Sequence, residues 1–467
     1  MSALAIRRML PSVSVTVVHS SQIPVIGVGE STTAFVPRFL HQHLGLDRKE
    51  FYEAVRPSWK LGIRFEWGCE ANAHFYYPFD NSMGIADDRL PRVSGSYCFH
   101  DFSDASHYIA IMERGLSPCV TAPDGRYFIN DDVGYHIGNG RFLSYLQRKF
   151  SQFGGEIVDA NVVDVKQREN GDVESLVLQD GRDISGDLFV DCSGFRSRLL
   201  RETLRVPRVD YSDSLFCDSA VVGSWQRTDA IMPFTTAESM DHGWCWKIEF
   251  EERVTRGYVF SSQFCTAAEA MDELKQKNPQ IDDDIREIKF SSGRYENYWV
   301  RNVVAIGNSG GFVEPLEATA LHLIGEQVSG MAKILSDADM KIDPAMQTVE
   351  NQRYRDLWDE VRDFLALHYK FNAHVDTDFW RHCRNDTDLK QLAPLVDFYQ
   401  RVGPVRQCHN LLPKDTIFGF HGYLTMLVGL RVPTARKPEF SSEELANWDV
   451  YRQDIRNAIS RTIPVRD

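Results

Sequence analysis

The chain has no long apolar run. Nowhere in its 467 residues is there a stretch near the roughly eighteen apolar positions of a membrane-spanning helix, so no membrane span is expected. It has no cationic excess. Lys and Arg number 52 against 66 Asp and Glu, a net charge of −14, which argues against nucleic acid as a partner because phosphate binding needs a basic surface. Its cysteines are sparse and unpatterned. The nine, at 69, 98, 119, 192, 217, 245, 265, 383 and 408, form no CxxC or CxxxC pair, so no zinc or other metal site and no dithiol centre is expected. They read as small buried hydrophobes in a reducing compartment, which implies a cytoplasmic protein. Residues 1–18 make a poor secretory signal, because arginines and polar residues interrupt their apolar run. Tandem repeats and low-complexity linkers are also missing, so the parts are expected to pack as one body.

One further gap concerns topology. Ser2–Leu10 reads as most of a helix, and Val13–Val18 as a buried β-branched strand. A βαβ unit needs a strand and a glycine turn ahead of such a helix. The sequence begins inside the helix, so the expected fold is α/β and Rossmann-like without its N-terminal strand.

What is present has the length for two or three packed subdomains. After the first strand comes GVGES (Gly27–Ser31), then a helix through Leu40. Trp59–Trp67 alternates in the manner of a strand, and FYYPFD (Phe75–Asp80) follows it. Phe102–Glu113 and Gly140–Gln152 read as helices. Val162–Val165 and Val173–Leu178 read as paired strands around the turn RENGD. GDLFVDCSGFRS (Gly186–Ser197) is a strand with a turn at its C-terminal end. About Arg208–Tyr298 the pattern is that of an inserted antiparallel sheet. Val303–Gly307 is a short buried strand, followed by a glycine-rich turn and a long helix. From about Gln347 the pattern is helical and aromatic.

Three elements have the chemistry of a bulky anionic cofactor site. Gly27, Gly29 and Ser31 precede a helix, where glycine backbone and helix N-terminus favour an anion. Asp191 and Gly194 stand at the end of a strand. Gly307, Asn308, Gly311 and Phe312 form the turn that leads into GFVEPLEATA. Taken as residues alone, the three also fit a glycine-rich structural frame. Lys60 likewise fits a surface lysine, Glu317 a charge at a helix N-terminus, and Trp244 and Trp246 one packed face of a strand.

Five segments in order resemble the flavin-dependent tryptophan halogenase family over nearly the whole chain. They are IGVGEST (Ile26–Thr32), WKLGIRF (Trp59–Phe65), GWCWKIE (Gly243–Glu249), EPLEATA (Glu314–Ala320), and RDFLALHY with Phe379-Trp380. The resemblance implies a Rossmann-like FAD-binding domain of the flavoprotein monooxygenase and halogenase type. Residues 1–346 would form this core, with the antiparallel sheet inserted at about 208–298, and residues 347–467 a mainly helical substrate-binding region.

It also implies a reaction. Reduced FAD, supplied by a separate flavin reductase, and O2 oxidise a halide, chloride or bromide, to hypohalous acid. The oxidant passes through a tunnel and halogenates an electron-rich aromatic ring, tryptophan or another indole-like compound. Lys60 would hold the oxidant, by hydrogen bond or as a haloamine. Glu317 would take the ring proton or orient the oxidant. Gly27, Gly29, Glu30, Ser31, Thr32, Asp191, Gly194, Gly307, Asn308, Gly311 and Phe312 would bind the flavin, and Thr319 and Ala320 the halide. Tyr77, Phe79, Trp244, Trp246, Glu314, Pro315, Phe379, Trp380 and Tyr423 would line the substrate site and tunnel. A monomer or homodimer is expected. The same frame would also serve an FAD monooxygenase, or a non-catalytic remnant lacking GxGxxG.

The chain departs from the family pattern at several positions. His19 stands where an acid grips the adenosine ribose. Glu249 replaces the proline of GWxWxIP. Tyr77 replaces a frequent histidine, Ala318 a serine, Ala320 a glycine and Tyr423 a frequent tryptophan.

Overall fold

The computed structural model of the chain describes residues 1–23, 27, 29–67, 74–80, 102–121, 127–129, 132–282, 284–437, 439–460 and 462–464. Ile26 and Val28 of the IGVGEST segment lie outside the described residues.

The first helix is Ser2–Met9, with Leu4, Ala5 and Ile6 buried. The strand after it is Thr16–His19, shorter and less buried than its β-branched composition predicts. It pairs in parallel with Glu156–Asp159. Among the described residues its other edge has no partner, which is why its side chains stay partly solvated. A second parallel pair, Phe189–Asp191 with Val303–Ala305, carries the DCSG and GNSGG turns at its C-terminal ends.

The expected antiparallel insert is part of a larger, mixed sheet. Seven strands run in the order Arg286–Lys289, Ser219–Gln226, Arg253–Phe260, Gly243–Glu249, Thr235–Met240, Gly62–Glu66 and Phe75–Pro78. Thr235–Met240 pairs in parallel with Gly62–Glu66, so strands from outside the insert complete it. The Trp59–Trp67 segment is two strands in two sheets, because Ser58–Lys60 pairs instead with Gly134–Ile137. The switch falls at Leu61, whose N–H donates to Pro233 O (2.8 Å) and whose carbonyl accepts from Phe79 N (2.8 Å). Lys60 therefore sits at the corner between two sheets.

Two helix boundaries also differ from the sequence pattern. The 102–113 helix is His107–Glu113, because Ser106 caps it by accepting from Ile109 N. Asp80 reaches the same end, taking bonds from Ser106 Oγ (2.9 Å) and Tyr108 N (3.0 Å). The helix expected through Leu40 is Phe35–Arg38 and runs on as a π-turn, Phe39–His43. The C-terminal pattern is helical as read, led by Pro344–Lys370, with one short strand at Thr462–Pro464. Arg294 makes a two-pronged bond to Asp359 (2.9 and 2.9 Å), to which Tyr211 also donates (2.7 Å). This network ties the long helix to the sheet region. Among the described residues no helix is long and apolar enough to cross a membrane.

Candidate active site

Lys60 ends the strand Ser58–Lys60 and has no exposed surface. Its Nζ has no hydrogen-bond partner and stands 5.2 Å from the centre of the Phe79 ring. Burial pushes the amine down to about 7, and the Glu317 carboxylate opposes that shift. A buried, unpaired amine costs stability, and activated lysines are made in this way.

Glu317 closes a short 3-10 turn, Pro315–Glu317, begun by the fixed φ of Pro315. The next residue, Ala318, has φ 54°, left-handed for a residue with a Cβ. After it Thr319 leads into the helix Ala320–Asp337, whose N-terminus has no side-chain cap. The first amides of that helix therefore lack a side-chain acceptor. Glu317 is buried, and its Oε1 lies 2.8 Å from His368 Nε2.

Glu314, before the turn, is buried as well. Its Oε2 accepts from Trp244 Nε1 (2.8 Å) and Tyr369 OH (2.6 Å), and its Oε1 has no partner. Burial raises this carboxyl to about 7, against the pull of those two donors. Glu314 thus fixes the indole of Trp244. Trp246, one strand repeat further on, lies on the same face with its ring centre 6.0 Å away. Against that ring the neighbouring strand has Gly257, where a Cβ would stand 1.9 Å from the indole.

The end of the GVGEST segment reaches the start of the Ala320–Asp337 helix. Thr33, just past GVGEST, lies 3.2 Å from His322 Nδ1, and Phe35 stacks on the same imidazole at 4.1 Å. Burial, helped by Arg38, pushes His322 down to about 3, so it is neutral. Thr32 is fixed to Tyr135 by bonds to both its backbone and its hydroxyl. Ser31 Oγ meets Thr235 Oγ1 (2.9 Å), which meets His136 Nε2 (2.8 Å). Burial and Lys60 push His136 to about 3. Glu30 is raised to about 7 by burial, against the bond from Asn139.

The glycine elements serve unequal purposes. The room beside Gly29 is filled by Phe250, whose ring would be 2.1 Å from an added Cβ. Gly27 abuts Asn139, and Gly311 is pressed against Gly293 and Arg294 of the paired strand. Beside Gly194 a Cβ would meet nothing within 4 Å. Asp191 spends its carboxylate internally, accepting from Ser193, Leu199 and Leu200. The two turns touch through Ser309 and Gly194 (3.3 Å) and through Phe195 and Phe312. Gly307 N is held by Gln327, and Asn308 is exposed. The open space at Gly194, the uncapped helix and the unpartnered Lys60 amine fit a flavin and a halide.

On the helical side Tyr77 and Tyr423 meet around Phe364, at 6.2 and 4.9 Å, and Phe418 stacks on Phe364 at 3.8 Å. Glu360 anchors this aromatic wall through Thr416, Ile417 N and Tyr423 OH (3.2 Å). Phe379 and Trp380 lie deeper. Trp380 stacks with Tyr369 and donates to Met240 O (2.7 Å), so both rings back the Glu314 network.

Sequence reasoning missed His136, His322, Phe250 and Glu360, which belong to no motif. The one departure with a clear structural account is Glu249. Its carboxylate accepts from Met232 N (2.9 Å) and pairs with Lys247 (2.6 Å), while its carbonyl accepts from Ser58 Oγ (2.6 Å). It therefore braces both the Lys60 strand and the 232–233 loop that holds Leu61.

The mixed α/β frame closely matches solved structures of flavin-dependent halogenases. The tryptophan halogenase family model matches residues 1–443, and the chain belongs to that family. It is 31% identical to the 7-chloro-L-tryptophan 6-halogenase KtzR of Kutzneria sp., over 97% of this chain and 92% of that one. MibH, a lathipeptide tryptophan 5-halogenase, superposes with a TM-score of 0.89 at 34% identity, covering 99% of this chain and 89% of MibH. Xcc4156, a flavin-dependent halogenase from Xanthomonas campestris, gives 0.89 at 27% identity, over 99% and 94%.

Proposed function

We propose that the chain halogenates an electron-rich aromatic ring, tryptophan or another indole-like compound, with Lys60 and Glu317 as its catalytic residues. The observation that supports this best is the buried Lys60 amine, without a hydrogen-bond partner, in the field of Glu317. Bound FAD, reduced by a separate reductase, would supply the oxidation of chloride or bromide to hypohalous acid. Gly194, the GNSGG turn and the GVGEST segment would hold it, and the N-terminus at Thr319 and Ala320 would receive the halide.

Lys60 suits capture of the oxidant because an amine near neutrality both donates hydrogen bonds and acts as a nucleophile. Trp244 and Trp246 wall the route between the two halves, held by Glu314. Ring attack forms the carbon–halogen bond as the halogen leaves oxygen or the Lys60 nitrogen. Glu317 then accepts the ring proton, which ends in the water formed when the halogen leaves oxygen, or on the Lys60 nitrogen when the halogen leaves that atom. Tyr77, Phe418 and Tyr423, which meet around Phe364, and Phe79, beside Lys60, suit a flat ring.

The test supplies purified protein with FAD, a flavin reductase, NADH, halide, O2 and a panel of indoles, and reads products by mass. Products with a halogen isotope pattern are expected. A hydroxylated or epoxidised product, still formed by Lys60→Ala, would instead make the protein a monooxygenase. Titration with FAD in the same preparation separates a weak cofactor site from a failed chemistry.

A further inference from the structure

His368 lies on the long helix Pro344–Lys370, opposite Glu317, and has no exposed surface. Its two ring nitrogens make different bonds. Nδ1 lies 2.8 Å from Phe364 O, a carbonyl without a hydrogen, so Nδ1 must donate. Nε2 lies 2.8 Å from Glu317 Oε1. Two heteroatoms at that distance need one hydrogen between them. With Nδ1 already protonated, the imidazole and the carboxyl share a single further proton. Phe65, Trp67 and Phe364 surround the imidazole, so the ring is locked by packing. Trp67 Nε1 also donates to His368 O (3.0 Å).

We propose that His368 is the positioning residue of this site: as an imidazolium it holds Glu317 by Oε1 as a carboxylate, leaving Oε2 as the base for the ring proton. The proposal rests on the halogenation reading. Among the described residues Oε2 has no hydrogen-bond partner. Among the described residues Lys60 also acts on Glu317. Lys60, lowered to about 7, is only part-charged near neutral pH, and a charged His368 supplies a counter-charge to the buried carboxylate at hydrogen-bond distance. The step balances. The ring's carbon–halogen bond forms, the C–H pair returns to the ring, and its proton passes to Oε2. It leaves as part of the water made from the hydroxide of hypohalous acid. His368 cannot pass a proton onward through Nδ1, since a peptide carbonyl does not accept one, so its task is to fix and charge Glu317.

The experiment has two arms. In the first, side-chain 15N NMR of the uniformly labelled protein, with no halide or substrate, reads the imidazoles of wild type, His368→Gln and Glu317→Gln. The expected result is a doubly protonated His368 imidazole in wild type near neutral pH, told apart from His382 beside Asp386 (2.7 Å) by the variants. Its signal vanishes in His368→Gln and turns neutral in Glu317→Gln. A neutral His368 in wild type, unchanged by Glu317→Gln, would overturn the proposal. This arm reads the pair whether or not the protein halogenates.

The second arm compares turnover of ring-deuterated and ordinary indole. His368→Gln keeps a donor to Glu317 but no charge. It is expected to lower kcat about 10-fold or more with KM unchanged, and to reveal a deuterium isotope effect that wild type lacks, because loss of the ring proton becomes slow. A His368→Gln enzyme with wild-type kcat and no isotope effect would contradict the role.

Discussion

A lysine amine with neither surface nor hydrogen-bond partner destabilises the protein that carries it. Lys60 is lowered from its ordinary 10.5 to about 7 by burial. Between about 7 and 10.5 the unfolded chain holds a proton there that the folded chain does not, so stability rises with pH through that window. Below about 7 both states are protonated and the penalty is complete. Replacing Lys60 with Met is therefore expected to stabilise the protein at pH 7, by an amount on the order of a few kcal/mol. The gain should shrink as pH approaches 10.5. Urea melts of the two proteins across that range measure it, and a gain that grew with pH would contradict the assignment. The motif residues Lys60, Glu317, Trp244 and Trp246 were legible because each lies in a short segment of distinctive chemistry. The pairing of Glu317 with His368 was not, since the two are 51 positions apart and no local pattern couples them.

At the scale of elements, two contacts carry testable weight. Gly257 leaves room for Trp246, and Gly257→Ala would put a methyl 1.9 Å from the indole. The ring is trapped between strands, so the substitution is expected to cost about 1–3 kcal/mol and to shift tryptophan fluorescence. Unchanged emission and stability would mean that the ring is free to move. The second contact is the pair of buried Arg294 and half-buried Asp359, which joins the sheet region to the long helix. Asp359→Ala strands the guanidinium and should cost about 3 kcal/mol in chemical denaturation. Asp359 also takes the Tyr211 hydroxyl, so Asp359→Asn, which still accepts from both neighbours, should cost less.

Strand and helix periodicity gave most individual elements, while their partners were less accessible. Gly62–Glu66 joins Thr235–Met240, with Ile63 opposite Thr235 and Glu66 opposite Glu238, and only tertiary packing decides so distant a pairing. The same cause explains the break at Leu61. Alternation continues through it in sequence, yet the bond to Pro233 O turns the chain into a second sheet. The Thr16–His19 strand was read as buried from its valines, and its single neighbour among the described residues leaves it half-solvated.

Across the whole molecule, the two halves of the site come from regions that fold far apart in sequence. The corner strand brings Lys60, the 3-10 turn brings Glu317, the long helix brings His368, and the sheet brings the tryptophan pair. Their convergence explains why five ordered motifs sufficed for the family while the bracing residues Glu360 and His322 escaped notice. These act through contacts made only after folding. The most direct measurement compares halogen incorporation into an indole by wild type and Lys60→Ala, each confirmed by absorbance to hold FAD. Halogenated product from wild type and at least about a 100-fold loss in Lys60→Ala are expected. Equal halogenation by both, or flavin-loaded wild type that yields no halogenated ring, would contradict the account.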